Sequence, residues 1–552
     1  MRFARPLHLA LFTAFLAALA WWSLTGYAPV APPGALPQVT LQFDGHRAWQ
    51  AVKSFVEQNP GRVTGTAAGQ RSAAYMAEQF RAVGLASGTY PFTERSLTVG
   101  RDFSGNNTCG IAAGSEKAAV LFTAHRDVHP RTRDGAVDNG SGVGAILELA
   151  RVLAPAPHRY TYVFCALDGE EVGLLGARAL VKNPPVPLPE IRLIVNLDMI
   201  AFRAGDSLWV RNTEYLHPQA LGLLQAVIGL TGSSLQTAGL VQPPIPINTD
   251  ADQFRWGNLP IVDIVDANPR AYPNYHKPED TVDKLLPDSL QRIGRTVELL
   301  VRQGDAVGAF APNAGLVLMR QQGAHYEYLP PWRLALAGAC LLLVLLLPAV
   351  HAAADLRRRQ VYVWGMLREQ RWPLVILVVL LVLAGLVKTP LLSLLLGFAL
   401  AIALRKAKGG DRGLGRLLVA LAPPFLFASG WWAAGQWPMF APYALAALPA
   451  AVFTTWKPGW LMRTADVALM TILGCITIFP EIIKGAAILF LTAAANWVPA
   501  FLRLWAVRIY LFTPAERGVL AVCFTLTFLA ALWGSFARRP ATADTRPDTA
   551  AA

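Results

Sequence analysis

Apolar residues are distributed in two different ways along the chain. As far as about residue 309 they come in short runs, Ala118 to Ala124, Tyr160 to Ala166, Ile191 to Leu197 and Pro260 to Val265, separated by helical stretches such as Val143 to Leu153. Short runs of this kind, bounded by turn residues, read as buried strands, and their alternation with helices predicts an α/β domain. Beyond Pro330-Pro331 the runs lengthen and crowd together, at about Leu334 to Val350, Leu374 to Val387, Leu391 to Leu404, Leu417 to Trp432, Tyr443 to Thr454, Val467 to Phe479, Ala486 to Phe501 and Val519 to Trp533. One more run, Leu7 to Thr25, stands at the N-terminus behind Arg2 and Arg5. A helix of roughly 20 apolar residues crosses the hydrocarbon layer. The pattern therefore predicts an N-terminal membrane anchor and a C-terminal all-α polytopic membrane domain, one on each side of the α/β domain.

Composition agrees with that division. The 552 residues are 54% hydrophobic and 15% charged, with mean hydropathy +0.37, too apolar for a chain that faces water throughout. Trp21-Trp22 and the lack of a small-x-small site favour a retained anchor over a cleaved signal peptide. Arg2 and Arg5 hold the start of the chain in the cytoplasm, so residues from about Tyr27 lie outside it, in the periplasm of a bacterium or the lumen of a eukaryote. Arg357-Arg358-Arg359 and Arg405-Lys406 then mark cytoplasmic loops. Eight full crossings would leave Arg538-Arg539 outside, so one run falls short of a span or two form a re-entrant pair. The net charge of +13 lies largely in the membrane-side loops and is no nucleic-acid footprint; the partner it fits is the lipid bilayer. Among the five cysteines, Cys340, Cys475 and Cys523 sit in apolar runs as small hydrophobes. Cys109 and Cys165 fall in the outer domain, where a disulfide is open to them, although a core-strand position for Cys165 favours separate thiols.

The chain accordingly divides into residues 1–27, cytoplasmic start and anchor; 28–47, a spacer stiffened by Pro29, Pro32, Pro33 and Pro37; 48–309, the extracytoplasmic domain; 310–332, a second linker; 333–537, the polytopic domain; and 538–552, a disordered tail.

Chemistry concentrates in five segments of the α/β part: His125-Arg126-Asp127, Val137-Asp138-Asn139-Gly140, Glu170-Glu171, Asn196-Leu197-Asp198 and Tyr275-His276. Taken singly, most have ordinary explanations: a surface His-Asp pair, a turn, a solvated helix start, a loop histidine. Asp198 is harder to dismiss, because it closes a buried strand and needs a partner there. Their placement joins them. In open α/β sheets ligands bind beyond the carboxyl ends of strands, and His125, Glu170, Glu171 and Asp198 all fall just past such ends. Two imidazoles with several carboxylates and no thiolate form a hard N/O donor set, which suits catalytic rather than structural zinc, with manganese or cobalt as possible substitutes.

These blocks, with Gly169-Glu170-Glu171-Val172-Gly173-Leu174-Leu175-Gly176 and Tyr275-His276-Lys277-Pro278-Glu279-Asp280-Thr281, resemble the di-zinc aminopeptidases of peptidase clan MH, family twenty-eight, over roughly Ala48 to Gly304, beginning with Pro60-Gly61-Arg62-Val63-Thr64-Gly65-Thr66. The resemblance implies a mixed central sheet flanked by helices. It also implies that His125 and Asp198 hold one zinc ion, Glu171 and His276 a second, and Asp138 bridges both, with Glu170 as general base and Asp127 orienting His125. A helix starting near Val172 would offer backbone N–H groups to the two glutamates. Thr249-Asp250-Ala251-Asp252-Gln253-Phe254 is similar to another block of the family, but Ala251 stands where histidine is common, which puts substrate contacts on that loop in doubt. A peptidase domain on one anchor followed by many spans resembles the family's membrane-bound metallopeptidases of the endoplasmic reticulum and vacuole.

The implied function is a membrane-bound zinc exopeptidase, most readily an aminopeptidase, acting on a peptide or small aminoacyl substrate. Two alternatives stand beside it: a glutaminyl cyclase-like single-zinc acyltransferase, and a non-catalytic binding or receptor domain on the same fold. Retention of both His125 and Asp198 argues against the first, and retention of Glu170 against the second.

Overall fold

The computed structural model describes residues 4–30, 34–96, 99–211, 213–237, 249–266, 272–312, 317, 319–322 and 325–358. The apolar runs from 374 to 533, most of the loops expected to be cytoplasmic and the C-terminal tail lie outside them. Among the described residues, 22–335 belong to one compact unit, while 4–21 and 336–358 belong to a second.

The first unit is an α/β domain. Its helices are α2 (Gly45–Gln58), α3 (Ala67–Ala82), α4 (Ser141–Leu153), α5 (Leu175–Lys182), α6 (Pro218–Leu230), α7 (Ala251–Trp256) and α8 (Pro287–Val307). Its large sheet contains β2 (Ala86–Arg95), β3 (Asp102–Ala112), β4 (Ala119–His125), β5 (Thr161–Leu167), β6 (Ile191–Leu197), β7 (Ser207–Arg211), β8 (Ser234–Thr237) and β9 (Ile261–Val265), in the order β2-β3-β5-β4-β6-β9-β7-β8. The central strands β5, β4, β6 and β9 run parallel. β2 and β3 join antiparallel on one side, and β7 is antiparallel to β9 on the other, so the sheet is mixed.

Parallel strands are covered on both faces and therefore carry near-continuous apolar runs. Alternate residues serve opposite layers. Val120, Phe122 and Ala124 of β4, with Tyr162, Phe164 and Ala166 of β5, enter the larger core formed with α2, α4, α6 and α8. Ala119 and Leu121, with Val163, Cys165 and Leu167, enter the smaller core under α5 and α7. Phe122 and Phe164 stack across the two strands with ring centroids 4.6 Å apart. Cys165 faces Cys109 of β3 in direct antiparallel register, Cα to Cα 4.1 Å, and the two form a disulfide. This corrects the expectation of separate thiols: a core strand neighboured by another cysteine-bearing strand supplies the partner that sequence position alone conceals.

Among the described residues, five further elements precede and follow these along the chain. Helix α1 (Ala4–Thr25) precedes β1 (Ala28–Pro29), and β10 (Met319–Gln322) and β11 (His325–Tyr328) precede α9 (Pro331–Arg358). These strands form a small sheet, β1-β11-β10, in which Ala28 pairs with Tyr328. Part of the segment read as a spacer is thus strand, and α2 opens at Gly45 behind Asp44, whose carboxylate accepts the N–H groups of His46 and Arg47. Within α9, Pro331–His351 is long and apolar enough to cross a membrane, with mean hydropathy 2.4.

Candidate metal centre

The predicted groups converge past the carboxyl ends of β4, β5 and β6. His125 is the last residue of β4, Glu170 and Glu171 follow β5, and Asp198 directly follows β6. Asp138 comes from the tight turn Ala136–Gly140 ahead of α4, whose Asp138-Asn139 peptide is cis. His276 lies on the loop after β9 with φ of 56°.

The two oxygens of Asp138 face different imidazoles. Oδ1 lies 3.2 Å from His125 Nε2, and Oδ2 lies 3.3 Å from His276 Nε2. Asp198 Oδ1 stands 3.5 Å from the same His125 nitrogen, and Glu171 Oε2 stands 3.1 Å from that of His276. Donor atoms of His125, Asp138 and Asp198 lie within 4.8 Å of one another, as do those of Asp138, Glu171 and His276. On its other side, His125 Nδ1 faces both the backbone carbonyl of Asp127, at 3.2 Å, and its carboxylate, at 3.5 Å. The His276 ring stacks on Tyr275, at 3.8 Å, and on His129, at 4.2 Å.

The loops that present these groups are knitted together by buried polar side chains. Arg62 donates to the carbonyls of Arg126, Asp134 and Gly135. Asp280 accepts the N–H groups of Val137, at 2.9 Å, and Asp138, at 3.0 Å, and the Tyr272 hydroxyl at 2.9 Å. Asn139 donates to the Leu197 carbonyl and accepts from the N–H of Met199, so the Asp138 turn is tied to both sides of Asp198. Gly135 has φ of 55°, and a Cβ there would stand 2.4 Å from Val128 and 2.5 Å from the Asp138 carbonyl. Only glycine fits.

One expectation is corrected here. Helix α5 begins at Leu175, not near Val172, because Gly173 and Leu174 both take positive φ. The N–H groups of Glu170 and Glu171 go to the Asp127 carboxylate, each at 3.2 Å, rather than to the glutamate side chains. Asp127 thereby joins the β4 and β5 loops as well as facing His125. It also accepts from Thr64 Oγ1 at 2.9 Å, and that oxygen lies 3.0 Å from Asp168. A hydroxyl has one proton to give. Burial raises the Asp168 pKa against the pull of Arg126, whose guanidinium donates to Asp168 Oδ2 at 2.7 Å.

Electrostatics mark a place for positive charge. Burial works against charging His125, yet the Asp198 charge and contacts with Asp127, Asp138 and Asp198 raise its pKa well above the usual range. His276 is likewise raised to about 9 against burial, by Asp138 and Glu171. Asp138 is held below the ordinary carboxylate range: burial opposes this, but the two imidazoles outweigh it. Glu171 is pushed up to about 7 by burial and Asp138, and its buried Oε1 has no hydrogen-bond partner. Burial, with Glu171, Asp198 and Asp250 against His125, lifts Glu170 well above its normal value. Converging carboxylates that force protons onto neighbouring imidazoles are the surroundings a divalent cation needs, and the donor set is the N/O type that suits zinc. The residues fit the metal.

Arg62, Thr64, Asp168, Asp250 and Asp280 were given no role by sequence. Four of them lie in blocks singled out for their resemblance, so the blocks were visible and the partners were not. Both oxygens of Asp250 are buried without a hydrogen-bond partner, and burial beside Asp127, Asp198 and Asp263 pushes its pKa well up. Ala251 is buried against the α5 side of the core with Phe254. Its departure from histidine therefore alters packing there.

Residues 107–301 match Peptidase family M28. The chain is 34% identical over 183 residues to the alkaline phosphatase isozyme conversion protein of Escherichia coli (strain K12), covering 29% of this chain and 52% of that protein. It is 32% identical over 192 residues to aminopeptidase YwaD of Bacillus subtilis (strain 168), covering 33% and 40%. To a vacuolar membrane protease of Candida albicans (strain WO-1) it is 28% identical over 193 residues, covering 34% and 22%. The chain thus spans about half the length, or less, of these curated relatives. Among solved structures, a glutaminyl cyclase of Porphyromonas gingivalis aligns with TM-score 0.43 and 22% identity, over 47% of this chain and 99% of that one.

Proposed function

We propose that the protein is a membrane-tethered, two-zinc aminopeptidase. The observation that carries this reading is Asp138, with one oxygen on each imidazole. In this reading His125 and Asp198 would hold one ion and Glu171 and His276 the other, with Asp138 available to both. Zinc in such positions supplies Lewis acidity towards a water and towards the scissile carbonyl. The chain's own residues do the rest. Asp127 fixes the His125 ring by facing Nδ1. Glu170, whose pKa is raised by its surroundings, takes a proton from the attacking water and returns it to the leaving amine. Relatives named as aminopeptidase and as vacuolar membrane protease support the class, and the apolar stretch Pro331–His351 supports the tether. The catalytic domain is then extracytoplasmic.

Zinc content and hydrolysis of an aminoacyl-dye panel by the purified full chain test the reading. About two zinc ions per chain are expected. Glu170→Gln should keep them while lowering kcat by about a hundred-fold or more, whereas Glu171→Gln should weaken metal binding. Near-full turnover by Glu170→Gln with intact metal would remove Glu170 from the mechanism. A single zinc, indifferent to His125→Ala, would remove the second ion.

A further inference from the structure

We infer that Trp22, Trp332 and Arg333 form a collar seated in the headgroup layer of a lipid bilayer, which pins the ends of α1 and α9 together against the peptidase domain. The inference rests on the membrane-tethered reading above and adds where the membrane surface lies. The pairing of Ala28 with Tyr328 brings the two helix ends together, because only Gly26 and Tyr27 separate α1 from β1, and only Leu329 and Pro330 separate β11 from α9. At this junction the rings of Trp22 and Trp332 lie 6.3 Å apart. The Arg333 guanidinium stands 4.3 Å from the first ring and 5.0 Å from the second, and donates to the Trp22 carbonyl at 3.3 Å. Gly26 makes room for it: a Cβ there would fall 1.3 Å from Arg333 Nη1.

These rings are not core. Trp22 is 50% exposed, Trp332 56% and the neighbouring Trp21 70%. Tryptophan with arginine, amphipathic and cationic together, is the combination that favours the headgroup level, where rings meet acyl chains and guanidinium meets lipid phosphate. Helix length fixes the depth independently. Leu11 of α1 and Leu343 of α9 are large exposed apolar side chains, 60% and 47%, and each lies eleven residues from its collar tryptophan. At 1.5 Å per residue that is about 16 Å, half of a hydrocarbon layer about 30 Å thick. With the tryptophans at the interface, both leucines reach the midplane.

The test uses the full chain in phosphatidylcholine–phosphatidylglycerol vesicles, with Cys340, Cys475 and Cys523 replaced by Ser. Nitroxide labels are placed singly at 21, 335, 343 and, as an aqueous reference, 53. Power saturation with oxygen and with a nickel chelate should place 343 deep in the bilayer, 21 and 335 close to the headgroups, and 53 in water. A distance measurement on the 21/335 double label should give one narrow distribution that broadens in Arg333→Leu and in Gly26→Val. If 343 is lipid-deep while 21 and 335 are aqueous, or are closed to both reagents because other parts of the chain cover them, the collar is wrong and the tether survives. If 343 is aqueous, the tether itself fails. An unchanged 21/335 distribution in both variants would overturn the pinning by Arg333.

Discussion

The Asp280 carboxylate accepts the backbone N–H of Asp138 at 3.0 Å, so the loop that carries His276 also fixes the residue facing both imidazoles. Ligand and support come from one segment. Asp280→Ala would leave the N–H groups of Val137 and Asp138 buried and unpaired, at about 1–3 kcal/mol each. The expected outcome is a stability loss of about 2–5 kcal/mol and a fall in zinc content at both positions together. Tyr272→Phe, which removes only a third hydrogen bond, should cost about 1 kcal/mol and spare the metal. Thermal unfolding and zinc analysis of the two variants decide; normal zinc binding by Asp280→Ala would mean that the turn holds itself.

Asp266 gives a pH dependence separate from the metal ligands. Burial pushes its pKa up to about 6, although it accepts the N–H of Arg203 at 2.6 Å and lies 4.0 Å from Arg292. The folded value exceeds the unfolded one, so its stabilising contribution is complete below about pH 4 and is lost as pH rises through about 6. Asp266→Asn keeps a neutral acceptor and avoids that loss. The variant should match the parent at pH 4 and exceed it by on the order of 3 kcal/mol at pH 7. Tm of the α/β domain across that range is the measurement. A variant less stable at every pH would show instead that Asp266 is ionised and held by Arg292.

The Cys109–Cys165 bond closes a loop of 56 residues, worth about 4 kcal/mol by chain entropy. Reductant, or Ser at both positions, should lower the unfolding temperature by several degrees. Turnover at 25 °C should stay within about two-fold, because Cys165 faces the core layer under α5 and α7. A large loss of kcat without loss of Tm would place the bond in the catalytic machinery.

Topology can be read with reporters. A fusion after Gly304 should report from outside the cytoplasm, and one after Arg359 from inside, as the Arg2/Arg5 flank and the arginine triplet require. Cytoplasmic activity of the Gly304 fusion would invert the enzyme and give it a different substrate pool.

Sequence pattern located the four central strands to within a residue, because a strand buried on both faces leaves an unbroken apolar run. It also picked out the side chains that converge here, since those just past strand ends stand out as polar. What it left out depends on pairs remote in the chain. Nothing around Asp280 shows that it reaches back to Val137, and nothing around Arg62 shows that its donors meet Gly135. The start of α5 slipped by three residues because Gly173 and Leu174 adopt positive φ, which helical spacing does not register. The disulfide was concealed by the same remoteness: β3 and β5 are neighbours only once β4 has been placed beyond them.

The tie between Asp280 and the Asp138 turn also bears on how the protein is made. A nascent chain emerges from its N-terminus, so Arg62, His125, Asp138, Glu171 and Asp198 are all available before His276 and Asp280 exist. Until residue 280 has been synthesised, the turn is held only by Arg62 and by the Asn139 bonds to Leu197 and Met199, and the second imidazole is missing. On the two-zinc reading proposed above, metal loading would then be a late event in biogenesis, set by the ion supply wherever the domain completes its fold.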